Sequence, residues 1–433
     1  MRADRPEVTV VGAGPAGVTA AITLTRQGRR VCLVDRATFP RDKCCGDGLT
    51  TAALRRLHAL GFNPVKVASW QPIDQTWIRS PDGRTGSLTF RPGGTVVAAA
   101  ARRYDLDAAL VDLARSYGVD VRDGTGVVGA RLEEAGRAVA LDLSDGTALH
   151  SPYVVAADGM WSPMRKLTGT EDERCYLGDW HAIRQYFTNT GPAATKMWVW
   201  FDADILPGYA WSFPLPGGGA NVGYGVIRRP GEATGSMKGR WAELLARPHI
   251  ASVLGRDARP TEPFKAWPIP TRIGRSSLSA LGGRVHFVGD AARSGDPLTG
   301  EGIGQAMESA EVAAEAMIHA GPDRPDRAAL AYRRRIDATL GIDDKVSVAV
   351  SNLLRHPRLA NGWQRLIMAN EVTRYQFLRW MFEDYPRALL LTPRRWSANR
   401  SRPYPDEAPG SLRRPLTQVA RASPARKVSS PVA

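Results

Sequence analysis

Two adjacent cysteines stand directly before a Gly-Asp-Gly turn, in the stretch Lys43-Cys-Cys-Gly-Asp-Gly-Leu49. Paired thiols could bind a metal, form a disulfide, supply one reactive thiol or simply pack. The chain has only four cysteines (Cys32, Cys44, Cys45, Cys175) and no Cys-x-x-Cys or His-x-x-x-His pair. Adjacent cysteines are also poorly placed to bond to each other. We therefore expect no metal site and no disulfide scaffold, and this thiol usage favours a reducing compartment.

A glycine-rich turn near the N-terminus has the spacing that nucleotide phosphates require. The apolar run Val8–Val11 leads into Gly12-Ala-Gly14-Pro-Ala-Gly17, and a second apolar run ends at Asp35. Gly12 permits the tight turn, Gly14 lets the backbone approach a pyrophosphate, and Gly17 lets helix and strand pack closely. The N-terminus of the helix faces the phosphates, and Asp35 can accept from a ribose hydroxyl. The stretch predicts a β-α-β dinucleotide-binding unit.

Three later segments have turns that could contact the same cofactor. Arg103 stands at a helix start, Asp158-Gly159 follows one apolar strand, and Gly289-Asp290 follows another. Further on, Gly300-Glu-Gly302 opens a helix whose first N–H groups can approach a flavin ring oxygen. Each turn is common by itself. In this order they resemble the single-FAD fold of the aromatic hydroxylase type, and the single glycine fingerprint argues against two-nucleotide disulfide reductases.

Longer stretches narrow the resemblance to one branch of that fold. Pro40-Arg-Asp-Lys-Cys-Cys-Gly-Asp-Gly-Leu49 resembles the Pro-Arg-x-Lys-x-Cys-Gly-Asp/Gly-Gly-Leu segment of the geranylgeranyl reductase family. Tyr209-Ala-Trp-Ser-Phe-Pro214, with Asn221-Val-Gly after it, resembles that family's aromatic signature, and the run from Pro297 to Ile303 is also family-like. The resemblance covers roughly residues 6–380.

The resemblance implies an enzyme that uses FAD to saturate isoprenoid C=C bonds, with NAD(P)H or a reduced protein carrier as electron donor. The implied substrate is a hydrophobic small molecule or a lipid-like one. From position and resemblance together, the residues expected to contact FAD are Gly12, Ala13, Gly14, Pro15, Ala16, Gly17, Asp35, Arg36, Cys45, Gly46, Asp47, Gly48, Arg103, Asp158, Gly159, Gly289, Asp290, Pro297, Gly300, Gly302 and Ile303.

The chemistry implied by the resemblance needs a hydride on one alkene carbon and a proton on the other, in a dry apolar site. Ten of the 45 residues from Trp180 to Tyr224 are aromatic, against 8% in the whole chain, and most of these rings are expected to be core. We expect the catalytic residues to be Cys45, Asp47, Tyr209 and Trp211. The proton donor is left open between Cys45, Asp47, Tyr209 and His181. Cys44 is expected to pack or to face solvent.

Two other functions fit the same sequence features. The first is an FAD-dependent monooxygenase, epoxidase or halogenase, because Gly208–Pro214 partly resembles the halogenase Trp-x-Trp-x-Ile-Pro segment. The second is a non-catalytic flavin-binding or redox-sensing protein with an oxidant-reactive thiol pair. The Cys-Gly-Asp-Gly turn from Cys45 to Gly48 favours the reductase.

These elements predict an α/β (α+β overall) fold: a Rossmann-like FAD-binding domain, an inserted mixed or antiparallel β-sheet substrate domain, and a C-terminal helical region. The expected domains are residues 1–175 with 265–320, residues 176–264, and residues 321–392, followed by a basic tail over 393–433. A helix is expected from Gly302 to His319, and two or three more from Pro325 to about Phe382, broken at Pro357. Their apolar residues could cover a substrate channel, but packing is the favoured role.

The net charge of +15 is concentrated at the C-terminus, where residues 394–427 hold nine Arg or Lys against two acids. Such a tail is expected to be solvated, with weak attachment to anionic lipid as the alternative. No basic–aromatic motif supports nucleic-acid binding. The N-terminal residues lead straight into an apolar strand and not a signal peptide, and the uncharged span Ile205–Ile227 contains three prolines and six glycines. We expect a cytoplasmic protein, or one peripheral to a membrane.

Overall fold

Twenty strands are present in the computed structural model, which describes residues 5–91, 94, 97–133, 136–170, 178–228 and 236–392. In chain order they are β1 (Val8–Val11), β2 (Val31–Asp35), β3 (Gly48–Leu49), β4 (Gln71–Ile73), β5 (Gln75–Arg79), β6 (Thr85–Thr89), β7 (Ala98–Ala100), β8 (Asp120–Asp123), β9 (Val127–Leu132), β10 (Val139–Leu143), β11 (Ala148–Ser151), β12 (Tyr153–Ala156), β13 (Gly178–Thr188), β14 (Met197–Trp200), β15 (Tyr209–Leu215), β16 (Gly219–Ile227), β17 (Arg259–Pro260), β18 (Lys265–Pro270), β19 (Ser279–Ala280) and β20 (Val285–Phe287).

Eleven α-helices accompany these strands in the same described ranges. They are α1 (Pro15–Arg26), α2 (Thr51–Ala59), α3 (Arg103–Ser116), α4 (Pro163–Leu167), α5 (Ser236–Ala246), α6 (Pro248–Leu254), α7 (Ile303–Ala320), α8 (Pro325–Ala338), α9 (Leu340–Leu354), α10 (Pro357–Met368) and α11 (Glu371–Met381).

The first sheet is the one that the glycine-rich turn predicts. Its strand order is β19-β20-β12-β1-β2-β8, parallel throughout except at the β19 edge. β1 lies inside the sheet and is buried along its whole length, which is why its sequence is almost continuously apolar. Helices α1 and α7 pack against each other beside it. The Rossmann-like unit is therefore confirmed, and Cys32 is a buried core residue of β2, as expected.

A second, mixed sheet carries the aromatic residues. Its order is β17-β13-β16-β15-β14-β5-β6, with β18 also pairing with β13. The pairs are antiparallel except for β14 with β5, which run parallel. Strands β5 and β6 (residues 75–89) and β18 therefore join this sheet from outside the segment 176–264 that the sequence suggested. Nothing in the local pattern of β5 indicates a partner so distant in the chain.

The C-terminal region forms four helices, α8 to α11, where two or three were predicted. Pro357 does mark a boundary, because it occupies the first turn of α10. Only Thr339 separates α8 from α9, and Gly341, in the first turn of α9, is the residue near that break that disfavours a continuous helix. Asn370 begins α11 through a capping box with Thr373, a signal that the sequence does contain.

Across the described ranges, none of the helices combines the length and apolarity needed to cross a membrane. The basic tail that the sequence analysis singled out lies outside the described residues.

Candidate functional site

A cleft of about 860 Å³ lies at the carboxyl ends of the parallel strands, where open α/β sheets bind their ligands. The mixed sheet forms its opposite wall through β13, β15 and β18. The cleft is lined by most of the predicted cofactor residues: Gly12, Gly14, Pro15, Ala16, Asp35, Arg36, Cys45, Gly46, Asp47, Gly48, Arg103, Asp158, Gly159, Gly289, Asp290, Gly300, Gly302 and Ile303. Ala13, Gly17 and Pro297 do not line it.

The glycine turn at the base of the cleft has the geometry that its spacing predicts. Gly12 has a φ of +101°, and a Cβ there would lie 2.3 Å from the carbonyl oxygen of Ala157. A Cβ on Gly17 would lie 1.7 Å from the carbonyl oxygen of Gly12, so the helix could not approach the strand. Gly14 is different, because its Cβ position is open and meets only two guanidiniums at 3.8 Å.

Those two guanidiniums belong to Arg41 and Arg103, and both are held by Asp107. Arg103 donates to both carboxylate oxygens of Asp107 at 2.7 Å, and Arg41 pairs with Asp107 at 2.9 Å. One carboxylate between two cations leaves net positive charge beside Gly14 and the N-terminus of α1. This arrangement suits the pyrophosphate of FAD, because free space, cations and helix N–H groups coincide there.

Two of the predicted cofactor residues, Asp35 and Asp290, bring carboxylates to the cleft. Asp35 accepts from the backbone N–H groups of Ala13 at 2.7 Å and Ala37 at 2.8 Å, so the turn itself orients its carboxylate. Asp290 pairs with the Nζ of Lys43 at 2.8 Å. Burial acts to raise the pKa of Asp290, but the charges of Lys43 and Arg103 outweigh it and lower that pKa. Each carboxylate keeps lone pairs that can accept a further hydroxyl.

Asp158 has a second role that its sequence position did not reveal. Its carboxylate accepts from the hydroxyl of Ser162 at 2.8 Å and from the backbone N–H of Met164 at 2.8 Å, at the start of α4. Burial raises the pKa of Asp158 to about 6. Contact of Asp158 and Gly159 with FAD stays a prediction.

The Cys-Gly-Asp-Gly turn is fixed to the mixed sheet through Asp47, which is buried and has a φ of +66°. Its Oδ2 accepts from the hydroxyl of Tyr186 at 2.6 Å and from the side-chain amide of Asn221 at 2.8 Å. Its buried Oδ1 makes no hydrogen bond with any described residue. Burial raises the pKa of Asp47 to about 6.

The two thiols differ in their surroundings. Cys45 lines the cleft, its Sγ accepts from the backbone N–H of Asp47 at 3.4 Å, and burial raises its pKa. The Sγ of Cys44 donates to the carbonyl oxygen of Lys265 at 3.6 Å, and burial raises its pKa to about 12. Both are free thiols, so neither forms a disulfide with the other. In the described part of the chain, no group of three His, Cys, Asp or Glu side chains could hold a metal ion.

Tyr209 and Trp211 form the aromatic wall of the cleft. The hydroxyl of Tyr209 donates to the carbonyl oxygen of Thr299, and burial raises the pKa of that hydroxyl. The indole N–H of Trp211 donates to the Oδ1 of Asn221 at 3.1 Å. The phenol thus holds the loop at Thr299, and the indole holds Asn221 of the neighbouring strand β16. A catalytic role for either residue stays a prediction. His181 is buried in β13 and lines neither this cleft nor the cavity beyond it.

A second, narrower cavity of about 120 Å³ opens behind the aromatic wall. It shares Gly48, Tyr209, Phe213, Thr299 and Glu301 with the cleft, so the two spaces meet at these residues. Apolar side chains from the mixed sheet and the C-terminal helices line most of it: Ile78, Leu88, Met197, Val199, Phe201, Leu206, Leu354, Trp363, Ile367, Met368, Phe377, Trp380, Met381 and Phe382. The C-terminal helices therefore contribute to a cavity as well as to packing.

Four residues of the site were inside quoted motifs but were not singled out from sequence. Arg41 and Lys43 precede the cysteine pair, Asn221 follows the aromatic signature, and Glu301 lies between Gly300 and Gly302. The charged groups and the side-chain amide can be read from the sequence. The residues that surround them in the folded protein cannot, because those residues lie far away in the chain.

The comparisons with known proteins agree with this geometry. A family model described as an FAD binding domain matches residues 5–335. A menaquinone reductase of Mycolicibacterium smegmatis is 34% identical, over 73% of this chain and 77% of that protein. A digeranylgeranylglycerophospholipid reductase of Methanosarcina mazei is 30% identical, over 81% of this chain and 84% of that protein.

Two solved structures show how widely the fold is shared. A geranylgeranyl bacteriochlorophyll reductase-like protein of Thermoplasma acidophilum superposes with a TM-score of 0.74 at 20% identity, over 90% of this chain and 99% of its own. A variant of the halogenase PltM in complex with FAD gives a TM-score of 0.67 at 17% identity, over 92% and 85%. At these identities the likeness concerns the fold alone.

Proposed function

The chain belongs to the geranylgeranyl reductase family of FAD-dependent oxidoreductases, which act on carbon–carbon double bonds, and from that premise we propose that it saturates a double bond in the isoprenoid chain of a quinone. The observation that carries the proposal is the apolar cavity that meets the FAD cleft at Gly48 and Glu301. A hydrocarbon chain suits such a lining, because burying its apolar surface there is favourable. A polar group would find few hydrogen-bond partners in the same cavity.

The quinone is chosen over a glycerolipid because the menaquinone reductase has the higher identity of the two relatives described above. Two spaces fit such a substrate: the wide cleft would take the ring and the narrow cavity the chain. Arg41, Arg103 and the glycine turn would hold the pyrophosphate of FAD, with Asp35 and Asp290 at its hydroxyls. When bound and reduced, FAD supplies the hydride for the reduction.

This chain's own residues would then hold the reacting bond and keep water away from it. Phe213 packs against Gly48, with its Cε2 only 2.9 Å from the position of a Cβ at that glycine. Trp211 and Phe213 have ring centroids 6.0 Å apart and form a continuous apolar surface beside the turn. We propose NAD(P)H or a reduced protein carrier as the source of electrons.

The test compares chain reduction with oxygen chemistry in one preparation. The FAD-loaded protein is reduced under argon and mixed with a menaquinone that has an unsaturated prenyl chain, with a digeranylgeranyl glycerolipid, or with a menaquinone ring that lacks the chain. We expect a prenyl product that gains two hydrogen atoms only with the first. The product is measured directly, because the quinone ring can also reoxidise the reduced flavin. If only the glycerolipid is reduced, the substrate is a glycerolipid and not a quinone.

Oxygen admitted to the reduced protein tests the alternative chemistry. A long-lived flavin intermediate with an oxygenated or halogenated product, and no saturated product under argon, would establish the monooxygenase or halogenase function instead. The absence of any turnover with all three compounds would favour the non-catalytic flavoprotein.

A further inference from the structure

We propose that Glu301 is the acid that protonates the substrate double bond, an inference that rests on the proposed function. Glu301 lies in the loop between β20 and α7, inside the run from Pro297 to Ile303. It lines both the FAD cleft and the apolar cavity. Its Oε1 is 3.6 Å from the position that a Cβ on Gly48 would take. The carboxyl group therefore lies at the junction of the two spaces, between the cavity proposed for the chain and the cleft proposed for FAD.

The side chain of Glu301 is free to act on a ligand. Its backbone N–H donates to the hydroxyl of Thr299 at 3.3 Å, and its carbonyl oxygen accepts from the N–H of Asp296 at 2.8 Å, so the loop is fixed. The carboxyl group itself makes no hydrogen bond or ion pair with any described residue. A fixed backbone with an unengaged carboxyl is the arrangement that a general acid requires.

The other candidate donors are engaged elsewhere. Asp47 accepts from Tyr186 and Asn221 on one oxygen, and the hydroxyl of Tyr209 donates to Thr299. The thiol of Cys45 interacts with the guanidinium of Arg103 and with the backbone N–H of Asp47. A donor here must lie at the junction, carry an acidic proton and have no hydrogen-bonding partner in the protein. None of the three groups meets all of these conditions.

The surroundings keep the Glu301 carboxyl protonated near neutral pH. Burial raises its pKa to about 8, the neighbouring carboxyl of Glu383 adds to the increase, and Asp296 adds further. Arg387 acts in the opposite direction, but its guanidinium pairs with Asp296 at 3.0 Å and Glu383 at 3.5 Å. Tyr209 and Cys45 also face this carboxyl, and both are neutral at that pH because burial raises their pKa values.

The step balances with groups already named. One alkene carbon receives a hydride, with its two electrons, from the reduced flavin. The π electrons of the double bond form a new C–H bond at the other carbon with the proton of Glu301. The O–H bond of Glu301 breaks, and the carboxylate that remains takes a proton from solvent before the next turnover.

The experiment compares Glu301→Gln with the matched control Glu315→Gln, which changes an exposed glutamate of the following helix. In the FAD-loaded resting protein, infrared spectroscopy should detect a protonated carboxyl that titrates near pH 8 in the parent and in Glu315→Gln. Glu301→Gln should lose the part of that band that Glu301 contributes. The part from Asp344, whose pKa burial also raises to about 8, should remain. Single-turnover formation of the saturated prenyl chain should slow by roughly 10²- to 10⁴-fold in Glu301→Gln only.

The outcomes separate this inference from the proposed function. Normal chain reduction by Glu301→Gln would overturn Glu301 as the acid while leaving the reductase intact. Failure of the parent protein to reduce any prenyl chain would overturn the proposed function, and the assignment of Glu301 with it. If Glu301→Gln loses FAD, Glu301→Asp decides, because a shorter acid should retain FAD and part of the rate. A full rate in Glu301→Asp with an unshifted pH profile would also contradict the proposal.

Discussion

The side-chain amide of Asn221 donates to the Oδ2 of Asp47 at 2.8 Å, and this bond joins the mixed sheet to the Cys-Gly-Asp-Gly turn. The same amide nitrogen donates to the carbonyl oxygen of Cys45 at 2.9 Å. The indole N–H of Trp211 donates to the amide oxygen and so fixes which end of the amide faces the turn. Only a side chain with both a donor and an acceptor fills this position, which explains asparagine there.

Replacing Asn221 with aspartate should loosen the turn. The substitution places a second carboxylate against Asp47, and it removes the donor to Cys45. We expect FAD affinity to fall at least about tenfold, since like charges at this distance in a buried site are strongly unfavourable. Fluorescence titration of the apoprotein with FAD measures the effect. Asn352→Asp, at an exposed position of α9, is the control, and equal affinities for both variants would contradict the prediction.

Asp47 should make the stability of the flavoprotein depend on pH in a defined direction. Burial raises its folded-state pKa to about 6 from 3.8, so ionisation is less favourable in the folded protein than in the unfolded chain. The stability that the protonated group contributes is complete below about pH 4 and is lost as the pH rises through about 6. Asparagine tolerates the positive φ of this position, so Asp47→Asn should keep the turn.

Urea unfolding of both proteins from pH 4 to pH 7 tests this expectation. The free energy of unfolding of the parent should fall relative to that of Asp47→Asn across the window. Parallel curves would mean that Asp47 ionises in the folded state as readily as in water.

Local patterns predicted the Rossmann-like half of the fold, whereas long-range contacts had to be observed. The turn from Gly12 to Gly17 specifies its own helix and strand, because a side chain at Gly12 or Gly17 would collide with backbone of that unit or of the neighbouring strand. In contrast, β5 pairs with β14 across more than a hundred residues, and no alternation of side chains indicates such a partner. The position of Glu301 could not be predicted for the same reason, because the residues around its side chain come from distant parts of the chain. A glutamate between two glycines looks like a solvated loop residue until the cavity around it is known.

Gly14 and Gly17 should respond differently to alanine. A methyl group on Gly17 would collide with the carbonyl oxygen of Gly12, so Gly17→Ala should destabilise the whole domain. A methyl group on Gly14 meets nothing closer than the guanidiniums of Arg41 and Arg103 at 3.8 Å, so the apoprotein should remain folded. The methyl group would, however, occupy the space expected for the pyrophosphate of FAD. Gly14→Ala should therefore weaken FAD binding at least about tenfold without lowering the apoprotein melting temperature.

Thermal unfolding of the apoproteins and FAD titration together separate the two effects. A Gly14→Ala variant that binds FAD with parent affinity would show that the pyrophosphate does not approach this backbone. A Gly17→Ala variant with parent stability would mean that α1 can move away from β1 without cost.

Filling the narrow cavity should block long substrates and leave FAD in place. Ile367 lines the cavity from α10, while its neighbour Leu366 is 61% exposed and lines neither space. Ile367→Trp should therefore slow reduction of the prenyl quinone at least about tenfold, whereas Leu366→Trp should not, because only the first indole enters the path of the chain. Overpacking costs about 1–3 kcal/mol, so melting temperature and flavin absorbance are measured in both variants. If Ile367→Trp is folded, binds FAD and still reduces the prenyl chain at the parent rate, the chain must reach the flavin by another route, and the apolar cavity has no part in substrate binding.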